Sequence, residues 1–165
     1  IKKMLNETKK EVDLLELKNI VESKHKIIGL DLGKKRIGVS ISTSDMDGAL
    51  PLRTIQYSNI KDLVEELSAI IKTHDIKAMV IGLPINMDGS EGKSSQSIRD
   101  KSNKILSFFE MPYSFWDERL STRAVERFYE RPSKTRQKKR NQKKDIDNLA
   151  SAFILEGALE YIKRN

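Results

Sequence analysis

The fold of this chain is decided by the stretch Lys26-Ile-Ile-Gly-Leu-Asp31-Leu-Gly33-Lys-Lys-Arg36-Ile-Gly-Val-Ser-Ile-Ser-Thr43. It contains two apolar runs, residues 26–33 and 36–43, joined by a basic turn that is short enough to form a β-hairpin. Asp31 lies inside the first run. A carboxylate in a central strand is costly to bury unless it is paired, and its usual partner is a metal ion or a phosphate held through a metal.

The rest of the chain alternates strand-like and helix-like patterns. Residues 1–24 predict a polar helix outside the core. Apolar spacing then predicts strands at 52–57, 78–83 and 112–117 and helices at 60–72, 95–109, 121–131 and 145–163. This order predicts an α/β fold with a mixed five-stranded sheet, half antiparallel and half parallel, flanked by helices. We therefore predict an N-terminal helical extension at 1–24 and one domain at 25–165.

The composition excludes several classes of protein. The 165 residues include no Cys and two His, which excludes disulfides and thiol chemistry and argues against a Cys/His zinc site. No apolar stretch approaches the roughly 20 residues of a membrane helix, so we expect no membrane partner. The net charge of +7 and the pI of about 9.5 favour a nucleic acid partner over a merely basic, soluble surface. We expect a cytoplasmic protein, or an organellar one if a targeting segment precedes Ile1.

Four acidic residues stand at the ends of predicted strands or at the start of the last helix: Asp31, Asp117, Glu118 and Asp147. Taken singly, each position favours a structural explanation, Asp147 as a helix cap and Asp117 as a turn residue. Taken together, converging carboxylates repel one another, and divalent cations relieve that repulsion. Neighbours on a strand point to opposite faces, so one of Asp117 and Glu118 should face Asp31, and we favour Glu118. The pattern predicts Mg²⁺ or Mn²⁺ held by Asp31, Glu118 and Asp147.

Two further segments are candidates for substrate contact. The loop Gly82-Leu-Pro-Ile-Asn86-Met-Asp-Gly-Ser-Glu-Gly92 follows a buried strand, where α/β folds place ligand loops, although an ordinary Asp-Gly turn explains it as well. In residues 131–144, eight of fourteen are Lys or Arg and none is acidic, which suits a phosphate-binding flap or a solvated loop or localisation tag. The candidate nucleic-acid contacts are Lys34, Lys35, Arg36, Asn86, Arg119, Arg136, Lys138, Lys139 and Arg140.

Several blocks together resemble the YqgF/RuvX family of RNase H-like nucleases. They are Gly29–Val39, Pro51–Ile55, Val80–Gly92 with its Gly-Leu-Pro-Ile-Asn-Met-Asp-Gly core, Asp117-Glu-Arg-Leu-Ser-Thr122 and Asp145–Leu155. The resemblance covers about residues 26–162 and implies an RNase H-like fold with sheet order 3-2-1-4-5 and a divalent-metal site. It implies catalytic roles for Asp31, the Asp117/Glu118 pair and Asp147. The helix at 1–24 and the Lys-rich 131–144 segment depart from the family pattern.

The resemblance implies a hydrolase, a metal-dependent nuclease that processes precursor ribosomal RNA of the pre-16S type. One alternative is a Holliday-junction resolvase acting on branched DNA, which would need two active sites and hence a dimer. A second is a non-catalytic module that binds RNA or DNA. An ATPase of the actin or sugar-kinase kind would need two copies of the fold, for which 165 residues leave no room. Both a monomer and a homodimer remain compatible with the sequence.

Overall fold

A computed structural model of the chain describes residues 11–120, 125–126, 130 and 146–165, without the side chains of 146–148. A 3₁₀ turn at Leu14–Leu17 leads into the first helix, and another at Glu118–Leu120 follows the last strand. The elements are α1 (Lys18–Glu22), β1 (Lys26–Leu32), β2 (Arg36–Ser42), β3 (Ala49–Gln56), α2 (Ile60–His74), β4 (Ile76–Leu83), α3 (Lys93–Leu106), β5 (Tyr113–Asp117) and α4 (Ile146–Arg164). Within these ranges, no helix has the length and apolar character of a membrane span.

The five strands form one sheet in the order β3-β2-β1-β4-β5. The first strand, β1, is central: it pairs antiparallel with β2 and parallel with β4, and β5 extends the parallel half. This confirms the predicted mixed sheet and the order implied by the family resemblance. Because β1, β4 and β5 run in the same direction, their carboxyl ends meet at one edge of the sheet, which we call the carboxyl edge.

Alternation along β1 divides the core into two layers. Ile28 and Leu30 pack with α2 and α3, whereas Ile27 packs with α4 on the opposite face. Gly29 and Asp31 share the face of Ile27, since alternate residues of a strand point the same way. A Cβ at Gly29 would lie 2.8 Å from Leu155 Cβ, so the absence of a side chain there lets α4 approach the sheet. Asp31 therefore faces α4.

The N-terminal region differs from the predicted helix. Among the described residues, helical structure begins at residue 14, where the Asp13 side chain accepts a hydrogen bond from Leu15 N–H. Just before it, Val12 N–H donates to Tyr113 O at 2.9 Å, so residues 11–12 extend the edge of β5 instead of forming a helix. Leu14 and Leu17 are buried against α4. Residues 1–10 lie outside the described part, and the division of the chain at residue 24 stays a prediction.

The other elements lie close to their predicted positions. The third strand starts at Ala49, three residues before its predicted start, because β3 is an edge strand and tolerates Pro51, which lacks an N–H group. Trp116 is buried against α4, where a Cβ at Gly157 would lie 2.6 Å from its ring. Of the helix predicted at 121–131, only residues 125, 126 and 130 are described, and they are helical.

Candidate active site

Asp31 and Glu118 lie on either side of a glycine at the carboxyl edge. The register pairs Leu30 with Ile81, which brings Gly82 next to Asp31. On its other side Gly82 pairs with Trp116, and Glu118 follows Trp116 by two residues on the same face. A Cβ at Gly82 would lie 2.5 Å from Glu118 Oε1, so the carboxylate occupies the space that a side chain would fill.

The surroundings of Glu118 raise the pKa of its carboxyl above the ordinary value. Burial is the largest cause, because it disfavours the charged form, and the negative charges of Asp31 and Asp117 add to it. The charge of Asp31 thus contributes to the raised pKa of Glu118, as expected for two carboxylates on the same face of the sheet. A half-buried pair of like charges is the arrangement that a hard divalent cation relieves, since Mg²⁺ and Mn²⁺ prefer carboxylate oxygens.

Asp117 has the opposite environment. It lies on the other face of β5, where Arg119 Nη2 donates to its Oδ2 at 2.7 Å and Arg119 Nε lies 3.1 Å and 3.0 Å from its two oxygens. These hydrogen bonds lower the pKa of the Asp117 carboxyl. Of the two neighbouring carboxylates, the structure thus brings Glu118 beside Asp31. The metal-binding roles of both remain predictions.

The third predicted ligand, Asp147, lies in the first turn of α4, and its side chain is outside the described part. The next turns of α4 do pack on the strands of the site. Ser40 Oγ donates to Ser151 O at 2.8 Å, and a Cβ at Gly82 would meet Ile154. Among the side chains that the structure describes, no group of three or more His, Cys, Asp or Glu residues could hold a metal.

The basic hairpin between β1 and β2 also lies at the carboxyl edge. Lys34, Lys35 and Arg36 are exposed there. Their backbone is anchored from α3 and the end of β3. Tyr57 Oη donates to Lys34 O at 3.1 Å, and Lys101 Nζ donates to Gly33 O while lying 5.5 Å from the centre of the Tyr57 ring. Neither Tyr57 nor Lys101 lies in a sequence motif, so the sequence alone did not identify them. The predicted contacts Arg136, Lys138, Lys139 and Arg140 lie outside the described residues.

The loop after β4 is held by its own polar groups. Asn86 N–H donates to Ser90 O and Gly89 N–H donates to Asn86 O, both at 2.9 Å, while Asn86 Nδ2 lies 3.1 Å from Ser90 Oγ. The side chain of Asn86, predicted to contact nucleic acid, thus braces the loop in this structure. Gly89 has a φ of 88°, a conformation that favours glycine.

A second anchor of this loop was missed by the sequence interpretation. Arg99 of α3 binds Glu91 through two hydrogen bonds of 2.6 and 3.1 Å and lies 4.7 Å above the Phe115 ring. The pair links the loop, α3 and β5, so it depends on three elements meeting in space. No sequence spacing marks such an arrangement.

Comparison with known proteins identifies the family. The profile described as "RuvX: Holliday junction resolvase" matches residues 25–161. The chain belongs to the RuvX family. Its sequence is 40% identical over 157 residues to the "Putative pre-16S rRNA nuclease" of Rhodospirillum centenum, covering 92% of this chain and 82% of that protein. A protein of the same name from Pelagibacter ubique is 41% identical over 140 residues, covering 85% of this chain and 91% of that protein.

Solved structures support the fold. RuvC of T. thermophilus in complex with a Holliday junction aligns with a TM-score of 0.54 at 11% identity, covering 85% of this chain and 95% of that one. The fowlpox virus resolvase in complex with junction DNA aligns with a TM-score of 0.51 at 14% identity, covering 84% and 97%. At these identities the likeness shows the RNase H-like fold of the RuvX chain and nothing finer.

Proposed function

We propose that this RuvX-family chain is a divalent-metal-dependent nuclease that hydrolyses phosphodiester bonds in precursor ribosomal RNA. The observation that carries the proposal is the Asp31–Glu118 pair across Gly82, on a chain with a net charge of +7. The names of relatives that are about 40% identical favour the RNA substrate. The protein would act where ribosomes are assembled, which we propose is the cytoplasm.

Asp31 and Glu118 would hold Mg²⁺ or Mn²⁺, with Asp147 as the third candidate ligand. Their oxygens fit such an ion because the two carboxylates repel one another, and Gly82, which stands between them in the register of β1, β4 and β5, carries no charge. A bound ion would supply charge neutralisation and a more acidic water molecule. The exposed Lys34, Lys35 and Arg36 would hold substrate phosphates at the same edge.

Cleavage assays with wild type and Asp31→Asn test this proposal. Both proteins are incubated side by side with a precursor ribosomal RNA fragment and a four-way DNA junction, in Mg²⁺, in Mn²⁺ and in EDTA. We expect wild type to cut the RNA only with metal. Asp31→Asn should keep the fold, checked by circular dichroism, and lose cleavage. Near wild-type cleavage by Asp31→Asn would contradict the metal site.

A second candidate function is junction resolution, because the family description names that activity. Cutting a four-way junction symmetrically requires two active sites, and therefore a dimer of this chain. A dimeric mass in light scattering, together with metal-dependent junction cleavage and intact RNA, would favour this candidate. Binding of nucleic acid without metal-dependent cleavage of either substrate would favour a non-catalytic module.

A further inference from the structure

The tip of the loop after β4 presents an apolar side chain to solvent. Met87 is 93% exposed, the largest exposure among the large hydrophobic residues of the described part. It lies in the turn closed by the hydrogen bond from Gly89 N–H to Asn86 O. Single exposed apolar residues are common on protein surfaces, so its surroundings decide whether it has a role.

The polar side chains around Met87 are bound to one another. Asp88 Oδ1 accepts hydrogen bonds from Ser90 N–H at 2.9 Å and from Ser90 Oγ at 2.6 Å, and the Asn86 amide is engaged with Ser90. Arg99 fixes the end of the loop through Glu91. The loop therefore holds its backbone in one shape without using Met87. An exposed side chain on a braced turn can enter a partner with little loss of backbone freedom.

The loop that carries the tip starts at the same edge of the sheet as the candidate active site. The loop begins directly after Leu83, on the strand between the one that carries Asp31 and the one that precedes Glu118. Arg119, the neighbour of Glu118, has its Nη1 3.8 Å from the Cβ position of Gly89. The turn that carries Met87 thus lies near Arg119, whose guanidinium binds Asp117 on the face of β5 opposite to Glu118.

The charges at this edge favour a polyanion. Lys93 opens α3 directly after the loop, and the basic hairpin lies at the same edge. Arg119 also lies beside the loop, but its charge is paired with Asp117. The flexible, polarizable thioether of Met packs well on aromatic rings, and Met is among the residues that nucleic-acid-binding proteins insert between base steps.

We propose that Met87 inserts between two adjacent bases of the bound strand, so that the phosphate beside the Asp31–Glu118 pair belongs to an unstacked step. The inference rests on the proposed function, since it assumes that the bound strand is the one cleaved. It predicts a preference for nucleic acid that is single-stranded or easily opened at the cleavage position. It also defines the ligand of the loop tip as a pair of nucleobases, in RNA or in DNA.

The test uses 2-aminopurine, whose fluorescence rises when a neighbouring base unstacks. Two series of probes carry it at successive positions: a single-stranded RNA, and a four-way DNA junction labelled around its branch point. The full chain is added in EDTA, so that binding is measured without cleavage, and anisotropy of an end label reports binding separately. The variants are Met87→Ala and Met87→Leu. The matched control is Phe108→Ala, which removes a 63% exposed side chain beyond the carboxyl-terminal end of α3, away from the carboxyl edge.

We expect wild type to raise the 2-aminopurine fluorescence several-fold at one or two neighbouring positions in at least one probe series. Met87→Ala should lose this signal and weaken binding by about two- to tenfold. Met87→Leu should retain most of the signal, and Phe108→Ala should match wild type. Binding with no bright position, or an equal signal in Met87→Ala, would overturn the inference and leave the nuclease proposal standing. A Met87-dependent signal in a protein that never cleaves in Mg²⁺ or Mn²⁺ would contradict the nuclease proposal and retain only the insertion of Met87 between bases.

Discussion

The backbone positions of two adjacent carboxylates at the end of β5 place their side chains in different environments. Asp117 is the last residue of the strand and Glu118 opens a 3₁₀ turn, so their side chains leave on opposite faces. Arg119 neutralises one, and the other is half-buried against Gly82. Alternation alone predicted that only one of them would face Asp31. The ion pair with Arg119 needed the turn geometry, which the sequence does not display.

This asymmetry predicts different effects of metal on stability. An ion that binds only the folded state raises the melting temperature. Millimolar Mg²⁺ or Mn²⁺ should therefore raise the melting temperature of wild type, and Glu118→Gln should abolish the rise. Asp117→Asn should reduce it less, because that carboxylate faces Arg119. Differential scanning fluorimetry across a metal titration measures all three. A rise kept in Glu118→Gln and lost in Asp117→Asn would reverse the assignment.

The raised pKa of Glu118 predicts a pH dependence in metal-free protein. Between the unfolded and the folded pKa, the folded state keeps a proton that the unfolded state has released, so the free energy of unfolding falls as the pH rises. The contribution is complete below the unfolded pKa and is lost as the pH rises through the folded pKa. The free energy of unfolding of Glu118→Gln should therefore fall less than that of wild type as the pH rises above about 4.

Urea unfolding in EDTA at several pH values measures this difference. Asp117→Asn is the control of opposite sign, because the lowered pKa of Asp117 contributes stability above its unfolded pKa that is lost as the pH falls. Parallel curves for wild type and Glu118→Gln would show that Glu118 is not desolvated beside Asp31.

Gly82 is predicted to be required by the site as well as by the fold. Gly82→Ala places a methyl group against Glu118 Oε1 and Ile154, which should lower the free energy of unfolding by about 1–3 kcal/mol. It should also remove the metal-induced rise in melting temperature. Gly157→Ala is the matched control, since its methyl group meets Trp116 instead. An equal metal-induced rise in melting temperature in both variants would show that the carboxylate pair does not need a glycine at position 82 to bind metal.

At the scale of elements, local patterns predicted most of the structure because each pattern has a local cause. The β1–β2 hairpin follows from two apolar runs and a short turn, and α2 follows from apolar residues at helical spacing. The structure of the region before β1 was harder to predict. Its residues 11–12 hydrogen-bond to β5, a partner about a hundred residues away along the chain, and no local pattern reports a distant partner.

The link between α3 and the loop after β4 gives a prediction at this scale. Arg99→Met keeps an apolar stem over Phe115 but removes both hydrogen bonds to Glu91. We expect a decrease of about 1 kcal/mol in the free energy of unfolding, with faster hydrogen exchange at the amides of Asn86 and Gly89. Arg53→Met is the control, because its pair with Glu66 is 3.6 Å long and well exposed. Unchanged exchange in Arg99→Met would show that the loop is braced by its own polar groups alone.

At the scale of the whole molecule, the site exists because the sheet order brings distant residues together. Asp31, Gly82 and Glu118 lie on or next to three strands that are neighbours in space but separated by helices in sequence. Composition and periodicity predicted the strands, whereas their order came from the family resemblance. Gly82 as the spacer between the carboxylates could be recognised only once β1, β4 and β5 stood side by side.

The basic segment 131–144 gives a prediction about how the whole molecule binds nucleic acid. It lies outside the described residues, and its sequence precedes α4, which packs over the site. If its side chains bind phosphates, the double variant Lys138→Gln/Lys139→Gln should weaken binding to RNA and DNA of any sequence alike. The slope of log affinity against log salt should become shallower by about one unit for each phosphate that the variant no longer neutralises.

Lys72→Gln/Lys104→Gln is the matched control, because it removes the same charge from exposed positions in the last turns of α2 and α3, away from the carboxyl edge. Both double variants have the same net charge, so a general effect of charge would lower their affinities equally and leave their slopes alike. A shallower slope in the first variant alone would show that the segment binds phosphates directly. An equal slope in wild type and both variants would mean that the carboxyl edge binds the strand without it.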